Sequence, residues 1–351
     1  MPRPEVVVIG GGPGGMMAAL TLRRERRDMR VVLVERLDDD KFPRYHRMCG
    51  EGISRAGLDL IDIDYEPFIM NTITKAVEHW PEGIDIETAI DGFIIDRPKL
   101  LMSMRKEFLD LGGEVVHGAL EEIDATGPKV RMRVSDHTFM TSDHVIAADG
   151  ARSIVREKVF GQGIDLIWTE QYVLDQRTED DKIEFFYDAK YGGGYRWSFP
   201  NGDRTRIGFP KGTEPAPDGH VEVHRRAIPV GQVRTIVGNN VCLVGDAAGQ
   251  VNPITFGGVR MALTAGWMAA EAIANDDIMS YHSRWCSSPY ADPVFKKGYD
   301  LICKMDNREM AKAVRPFREG FSKIRAASAV VKDPRLLPLY RSFERSMRYG
   351  W

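Results

Sequence analysis

Apolar residues are grouped along this chain in short unbroken runs, and the first sets the pattern for the others. Val6-Val7-Val8-Ile9 places four branched residues in succession, as expected of a strand covered on both faces in a parallel sheet. The glycines from Gly10 to Gly15 permit a tight turn into a helix that begins Met16-Met17-Ala18-Ala19-Leu20. A second run, Val31-Val32-Leu33-Val34, ends in Glu35, about 20 residues after the glycines. Further strands are predicted at 115–117, at 145–148 before Asp149-Gly150, and at 241–244 before Gly245-Asp246. The last leads through Asn252-Pro253 and Gly257-Gly258 into an Ala-rich helix that reaches Ala274.

Other stretches follow different periods. Two β-type runs, 73–77 and 84–87, flank Pro81-Glu82-Gly83 and predict a hairpin. A helix is predicted to open at Ser54, and another runs from Arg97-Pro98 to Leu111, stopped by Gly112-Gly113. Residues 130–134 and 139–141 suggest a meander. From 166 to 210 the pattern becomes antiparallel, with strands at 166–168, 172–174, 182–187, 194–200 and 204–209. In Tyr195-Arg196-Trp197-Ser198-Phe199-Pro200 the period of two puts Tyr195, Trp197 and Phe199 on one face, which reads either as core or as the wall of an apolar cavity. The chain is predicted to be helical from Phe295 onward.

These elements give an α/β fold: a Rossmann-like nucleotide-binding domain made of 1–66, 91–160 and 230–280, an inserted antiparallel β-sheet domain made of 67–90 and 161–229, and a helical C-terminal part, 281–351. At 351 residues the chain is long enough for a large core. A formal net charge of -3 gives no ground for a nucleic-acid partner. Cys49, Cys242, Cys286 and Cys303 are scattered, without a CxxC pair, which excludes an iron-sulfur cluster and a disulfide framework and suits a cytoplasmic protein. No signal peptide or membrane-span pattern stands out. His117, His137 and His144 lack ligand-like spacing, so no metal site is expected. From 295 on, fourteen Lys and Arg face six Asp and Glu, interleaved with apolar residues that include Phe317, Phe321 and Trp351. That is a solvated basic face, or a peripheral contact with the inner face of an anionic membrane.

Candidate chemistry begins at the glycines. Gly10 makes the turn, Gly12 lets backbone approach a pyrophosphate, Gly15 allows helix and strand to pack closely, and Glu35 suits a ribose hydroxyl. Arg97, at a helix N-terminus where a cation is poorly placed, serves a phosphate or cofactor oxygen, or else pairs with Asp96. Asp246 suits a ribityl hydroxyl. The glycines around Glu51 in Cys49-Gly50-Glu51-Gly52 suggest backbone lying close to a ligand, while Cys49 itself reads as a small buried hydrophobe.

Together these residues resemble the p-hydroxybenzoate hydroxylase-type flavoprotein superfamily, and within it the geranylgeranyl reductase family, especially its archaeal digeranylgeranylglycerophospholipid reductase branch. The narrower likeness rests on Cys49-Gly50-Glu51-Gly52-Ile53-Ser54, on Tyr195 to Pro200 as a YxWxFP motif, and on Asp246-Ala247-Ala248-Gly249 running to Asn252-Pro253. The resemblance covers most of 5–275 and implies FAD. It implies Gly12, Gly14 and Gly15 facing the pyrophosphate, Glu35 with neighbouring Arg36 at the adenosine ribose, Arg97 on the pyrophosphate side and backbone near Ala119 at the adenine. Asp246 would meet the ribityl chain and Gly258 and Val259 the isoalloxazine, with Cys49, Gly50 and Gly52 beside the flavin. Tyr195, Trp197 and Phe199 would line a prenyl pocket.

The chain departs from the family in short segments at 160–183 and 211–230 and in a compact C-terminal part. The implied activity is FAD-dependent saturation of isolated C=C bonds in prenyl chains of a membrane lipid, with Cys49 as proton relay or positioning group. The reduced electron donor would be ferredoxin-like or NAD(P)H. An FAD-dependent aromatic monooxygenase or halogenase is the alternative within flavoenzymes; a flavin-bearing electron-transfer or binding protein is the alternative outside this chemistry.

Overall fold

The structure, a computed structural model, describes residues 5–135, 138–320 and 322–351, so that His137 and Phe321 lie outside the described residues. Strand β1 (Glu5–Ile9) turns at Gly10 into helix α1 (Pro13–Glu25), and β2 (Arg30–Glu35) returns parallel to β1. Helix α1 is buried from Gly14 to Arg23. Its closeness to the turn depends on Gly15, where a Cβ would stand 1.9 Å from the Gly10 carbonyl oxygen. Short α2 (Lys41–His46), β3 (Gly52–Ser54) and α3 (Arg55–Leu58) follow. Helix α3 does open at Ser54, but the Ser54 hydroxyl donates to the carbonyl of Trp351, at 2.6 Å, instead of capping it.

The predicted hairpin is longer than its apolar runs. Strands β4 (Ile69–Trp80) and β5 (Ile84–Ile95) each hold 12 residues, because pairing continues through positions such as Asn71 and Thr88 that the apolar pattern passes over. Next come α4 (Arg97–Asp110), β6 (Glu114–His117), a meander of β7 (Leu120–Asp124), β8 (Val130–Val134) and β9 (Thr138–Ser142), and then β10 (His144–Ala147) beside β1. After α5 (Ile154–Phe160), the two short strands expected near 166–174 are one, β11 (Asp165–Leu174). Thr169, Glu170 and Gln171 look like a polar break in the sequence, yet all three are buried and paired on both sides. Strands β12 (Lys182–Phe186), β13 (Arg196–Asn201) and β14 (Arg204–Pro210) match expectation. The segment after them holds an 11-residue strand, β15 (His220–Val230), that the sequence pattern misses; its histidines and arginines hide the period.

Short β16 (Val237–Gly238) and β17 (Val241–Leu243) precede α6 (Val259–Ala274), and α7 (Ile278–Cys286), α8 (Val294–Ile302), α9 (Asn307–Val314), α10 (Lys323–Lys332) and α11 (Leu337–Tyr349) complete the chain. Three sheets result. The first, ordered β16-β17-β10-β1-β2-β6, is parallel apart from β16, and α1 packs against its central strands with α4 and α6 on either side of that helix. The second, β15-β11-β14-β13-β12-β4-β5-β3, is mostly antiparallel, and the third is the meander. A continuous core spans the first sheet and its helices, and a second core joins Trp80, Tyr187 and Trp197 to Met310, Leu339 and Tyr340 of the C-terminal helices.

Replacing Gly15 with Ala drives a methyl into backbone that cannot yield. We expect Gly15→Ala to cost about 3 kcal/mol of unfolding free energy in urea titration and to reduce the cofactor retained on purification.

Candidate active site

A cavity of about 1060 Å³ extends from the glycine turn to the cavity-facing side of β13. At the turn, the buried Glu35 carboxylate accepts the N–H groups of Gly11, at 2.6 Å, and Leu37, at 2.8 Å, which fixes it at the end of β2. Gly12, Gly14, Glu35 and Arg36 line this end of the cavity, whereas Gly15 does not: its place is against the strand, as the close approach to Gly10 requires. Ala119 lines the cavity too, with its own N–H and C=O engaged by Ser135.

Positive charge converges here. Arg97 donates to the carbonyl of His46, with Nε at 2.8 Å, while Asp96 caps α4 and pairs with Lys99, so the alternative of an Asp96–Arg97 pair does not form. Arg36 and Arg226 each lie over the Tyr45 ring, at 5.1 and 4.1 Å from its centroid. None of Arg36, Arg97 and Arg226 has a carboxylate partner among the described residues. Burial, reinforced by these three cations, holds the His46 imidazole well below its ordinary pKa, and its Nε2 is buried without a partner. Nearby Asp246 lines the cavity beside Gly258; burial raises its carboxyl, and Arg226, Arg97 and Arg156 work against that rise.

Next along the cavity is the Cys49–Gly52 loop. Glu51 adopts a left-handed φ of 62° and buries its carboxylate against the Arg206 guanidinium of β14. Arg206 also donates to the Cys49 carbonyl at 2.6 Å, and Ile95 N–H donates to the Glu51 carbonyl at 3.2 Å. Burial raises the Glu51 carboxyl, and Arg206 is the chief opposing influence. The Cys49 sulfur accepts the Glu51 N–H at 3.4 Å. Gly50 has no room for a side chain, since a Cβ would meet the Phe199 ring at 2.7 Å.

The opposite wall is aromatic. Tyr195, Trp197 and Phe199 all face the cavity, as their alternation predicts. Phe185 meets Tyr195 and Phe199 edge-on, at 5.1 and 5.4 Å between centroids, and Tyr195 stacks on Phe256 at 5.1 Å. The Tyr195 hydroxyl donates to the Thr255 carbonyl, so its ring is held at both ends. Gly258 and Val259 lie along the same edge, and the carbonyls of Arg348 and Gly350 at the end of α11 accept from Arg260, at 2.7 Å, and Thr255, at 2.5 Å. Of the site residues named from sequence, all except Gly15 therefore line one cavity. Arg206, Arg226, Glu51 and Glu78 were not named. Arg226 lies on the strand that the pattern misses; Glu78 could have been found as a lone acid at an inward position, between Ala76 and Trp80, of an otherwise apolar face.

Residues 4–182 match the model of the pyridine nucleotide-disulphide oxidoreductase family. Over 93% of this chain and 94% of its counterpart, the sequence is 30% identical to digeranylgeranylglycerophospholipid reductase 2 of Methanopyrus kandleri. The chain belongs to the digeranylgeranylglycerophospholipid reductase family. The Methanothrix thermoacetophila member is 29% identical over 82% of this chain and 84% of its own. Among solved structures, a geranylgeranyl bacteriochlorophyll reductase-like protein from Thermoplasma acidophilum shares the fold, with a TM-score of 0.80, 21% identity and coverage of 96% of this chain and 98% of that one. A flavin-dependent brominase shares it more distantly, with a TM-score of 0.69 and 17% identity over 98% and 93% of the two chains. The chain is an FAD-dependent oxidoreductase. Its cradle fits that cofactor: three unpaired guanidiniums and an orphaned imidazole nitrogen surround a glycine turn at a helix N-terminus, where a pyrophosphate would neutralise them.

Removing one partner of a buried ion pair strands the other charge, so Arg206→Ala should cost about 3–5 kcal/mol in urea unfolding, and Glu51→Gln combined with Arg206→Met should recover much of the loss. Burial pushes the Glu78 carboxyl from the usual 4.5 up to about 7. The folded state thus holds a proton that the unfolded chain releases earlier, and stability falls as pH rises through this interval, by on the order of 3 kcal/mol once both are ionised. Glu78→Gln should accordingly match the parent in thermal midpoint at pH 5 and exceed it at pH 8.

Proposed function

We propose that this chain saturates isolated C=C bonds in the geranylgeranyl chains of a membrane lipid. The observation that carries this reading is the continuity of the cavity: a phosphate-type cradle at one end opens directly onto an apolar aromatic wall at the other. FAD, when bound in its reduced form, supplies hydride. Everything else falls to the protein. An isolated alkene has no electron-withdrawing group to accept hydride, so a proton must reach one carbon as hydride reaches the other, in a dry site that tolerates passing positive charge. Tyr195, Trp197 and Phe199 offer such a surface, since aromatic faces attract cations.

In this reading 1–66, 91–160 and 230–280 hold the cofactor, 67–90 and 161–229 hold the prenyl chain, and 281–351 closes the cavity. Gly12, Gly14, Arg97 and Arg226 hold the pyrophosphate; Glu35 and Arg36 the ribose; and Asp246 the ribityl chain. Gly50, Gly52, Gly258 and Val259 border the ring. Cys49 is the proton relay or the group that seats the alkene. The electrons come from a reduced carrier, ferredoxin-like or NAD(P)H. Among the described residues no helix is long and apolar enough to cross a membrane. Helix α10 presents Ile324 and Val331, 83% and 82% exposed, between Lys323 and Lys332, which supports peripheral contact with anionic lipid.

The test is anaerobic. With flavin reduced by dithionite, addition of a geranylgeranyl glycerophospholipid should reoxidise the flavin as the lipid gains about two daltons per saturated bond. Flavin that stays reduced until oxygen enters overturns the reading in favour of an oxygenase or electron carrier. In the same assay Cys49→Ala should slow saturation by about 100-fold with flavin content unchanged; full turnover would leave Cys49 a packing residue.

A further inference from the structure

Glu78 stands apart from the cofactor cradle, and its position is costly. It stands in a row that crosses the second sheet from Ile86 through Glu78 and Phe185 to Trp197, and directly opposed residues share a face. Glu78, Phe185 and Trp197 all line the cavity. Phe185 is the ring that touches both Tyr195 and Phe199, and Phe199 lies on Gly50. Phe185, paired with Glu78, and Phe199 thus link the row that holds the carboxyl to the Cys49 loop along the cavity wall.

Among the described residues nothing around Glu78 neutralises it. Its hydrogen bond comes from Trp80 Nε1 at 3.1 Å, an indole stacked on Tyr187 at 3.9 Å with the planes 6° apart. Among the described residues no cation lies within ion-pair distance. The ionisable groups of the neighbouring strands are turned to the opposite face, where His79 bonds Asp85 and Glu184. The Tyr187 phenol is the titratable group that faces Glu78, and burial keeps that phenol protonated. A structural role would be served better by an amide or an aliphatic group of the same size, because a half-buried acid without a cation partner is destabilising when it ionises against an apolar wall.

We propose that Glu78 is the proton donor of the saturation reaction, an inference that rests on the reading of this chain as a prenyl reductase. The alkene π pair takes the carboxyl proton and forms a C–H bond at one carbon, while the O–H bond breaks and leaves its electrons on the carboxylate. The other carbon becomes cationic beside that carboxylate and the aromatic faces, and it accepts hydride from the reduced flavin to form the second C–H bond. One proton and one hydride convert C=C to CH–CH, and the carboxylate regains its proton from water between turnovers. Because burial pushes Glu78 up to about 7, a substantial share of it carries a proton at neutral pH, and after the transfer it is an anion able to hold the developing cation. Cys49 is then the group that seats the alkene.

The experiment pairs a rate with a binding measurement on the holoenzyme. Glu78→Gln keeps the size and an acceptor for Trp80. In single turnover with dithionite-reduced flavin it should saturate geranylgeranyl glycerophospholipid about 100-fold more slowly, with flavin content and lipid affinity unchanged, and Glu78→Asp should fall between. The second probe is N,N-dimethylgeranylgeranylamine, whose ammonium imitates the cationic carbon. The parent protein should bind it roughly 10-fold more tightly at pH 8 than at pH 6, as the carboxyl ionises, while Glu78→Gln shows no such change and geranylgeraniol binds alike to both. A Glu78→Gln enzyme that works at the parent rate overturns the proposal alone, as does amine binding that is equal in both proteins and flat with pH. A parent enzyme that binds the lipid and never saturates it overturns the prenyl-reductase reading, and the proposal with it.

Discussion

The buried pair of Arg206 and Glu51 joins two parts of the molecule that hydrophobic packing alone would leave free to slide. Arg206 belongs to β14, which β13 and β12 separate from the hairpin, whereas Glu51 belongs to the loop that follows α2. Apolar contact is non-directional, so it can bring the loop to the sheet without fixing how far along the sheet it lies. The guanidinium removes that freedom because it takes the Glu51 carboxylate and the Cys49 carbonyl together. Gly50 is thereby brought onto the Phe199 ring and the Cys49 sulfur onto the Glu51 N–H. The left-handed backbone at Glu51 is the conformational cost of presenting the carboxylate inward.

The cavity joins environments of opposite character. Its glycine end gathers unpaired cations around a neutral imidazole, and its far end is walled by rings with one acid among them. Either end is unfavourable by itself: the first through mutual repulsion, the second through exposed apolar surface and an uncompensated carboxyl. A dianionic cofactor relieves the first and an isoprenoid chain covers much of the second, so the folded state gains stability from each ligand in proportion to its affinity. The protein is organised to be completed by what it binds.

The sequence was legible where a single local rule decides the structure. Unbroken branched runs next to glycine identify the parallel strands and the cradle, and strict alternation at Tyr195, Trp197 and Phe199 identifies the wall. The YxWxFP and CGEG segments, through their family resemblance, supplied the chemistry. What escaped depended on partners distant in sequence. Strand β15 is held by its long pairing with β11 and not by its own pattern, so Arg226 was invisible as a member of the cationic group. Thr169 to Gln171 read as a break because burial between two neighbouring strands cannot be seen from three polar residues. The roles of Arg206 and Glu51 required knowing that positions 155 residues apart meet.

The fastening of α11 has a consequence of a different kind. Arg260 and Thr255 hold the end of that helix through the carbonyls of Arg348 and Gly350, groups that every residue type possesses. At Arg348 the contact therefore reads the path of the chain and is nearly blind to side-chain identity, whereas Gly350 is too closely packed for any other residue. Over evolution such a clasp permits drift at position 348, holds position 350 to glycine because a Cβ there would stand 2.4 Å from the Asn252 amide nitrogen and 2.7 Å from the Ser346 carbonyl oxygen, and forbids changes in spacing between them and Ser346, whose hydroxyl is tied to Asn252. Insertions and deletions, together with replacement of Gly350, are the events that would detach this wall of the cavity.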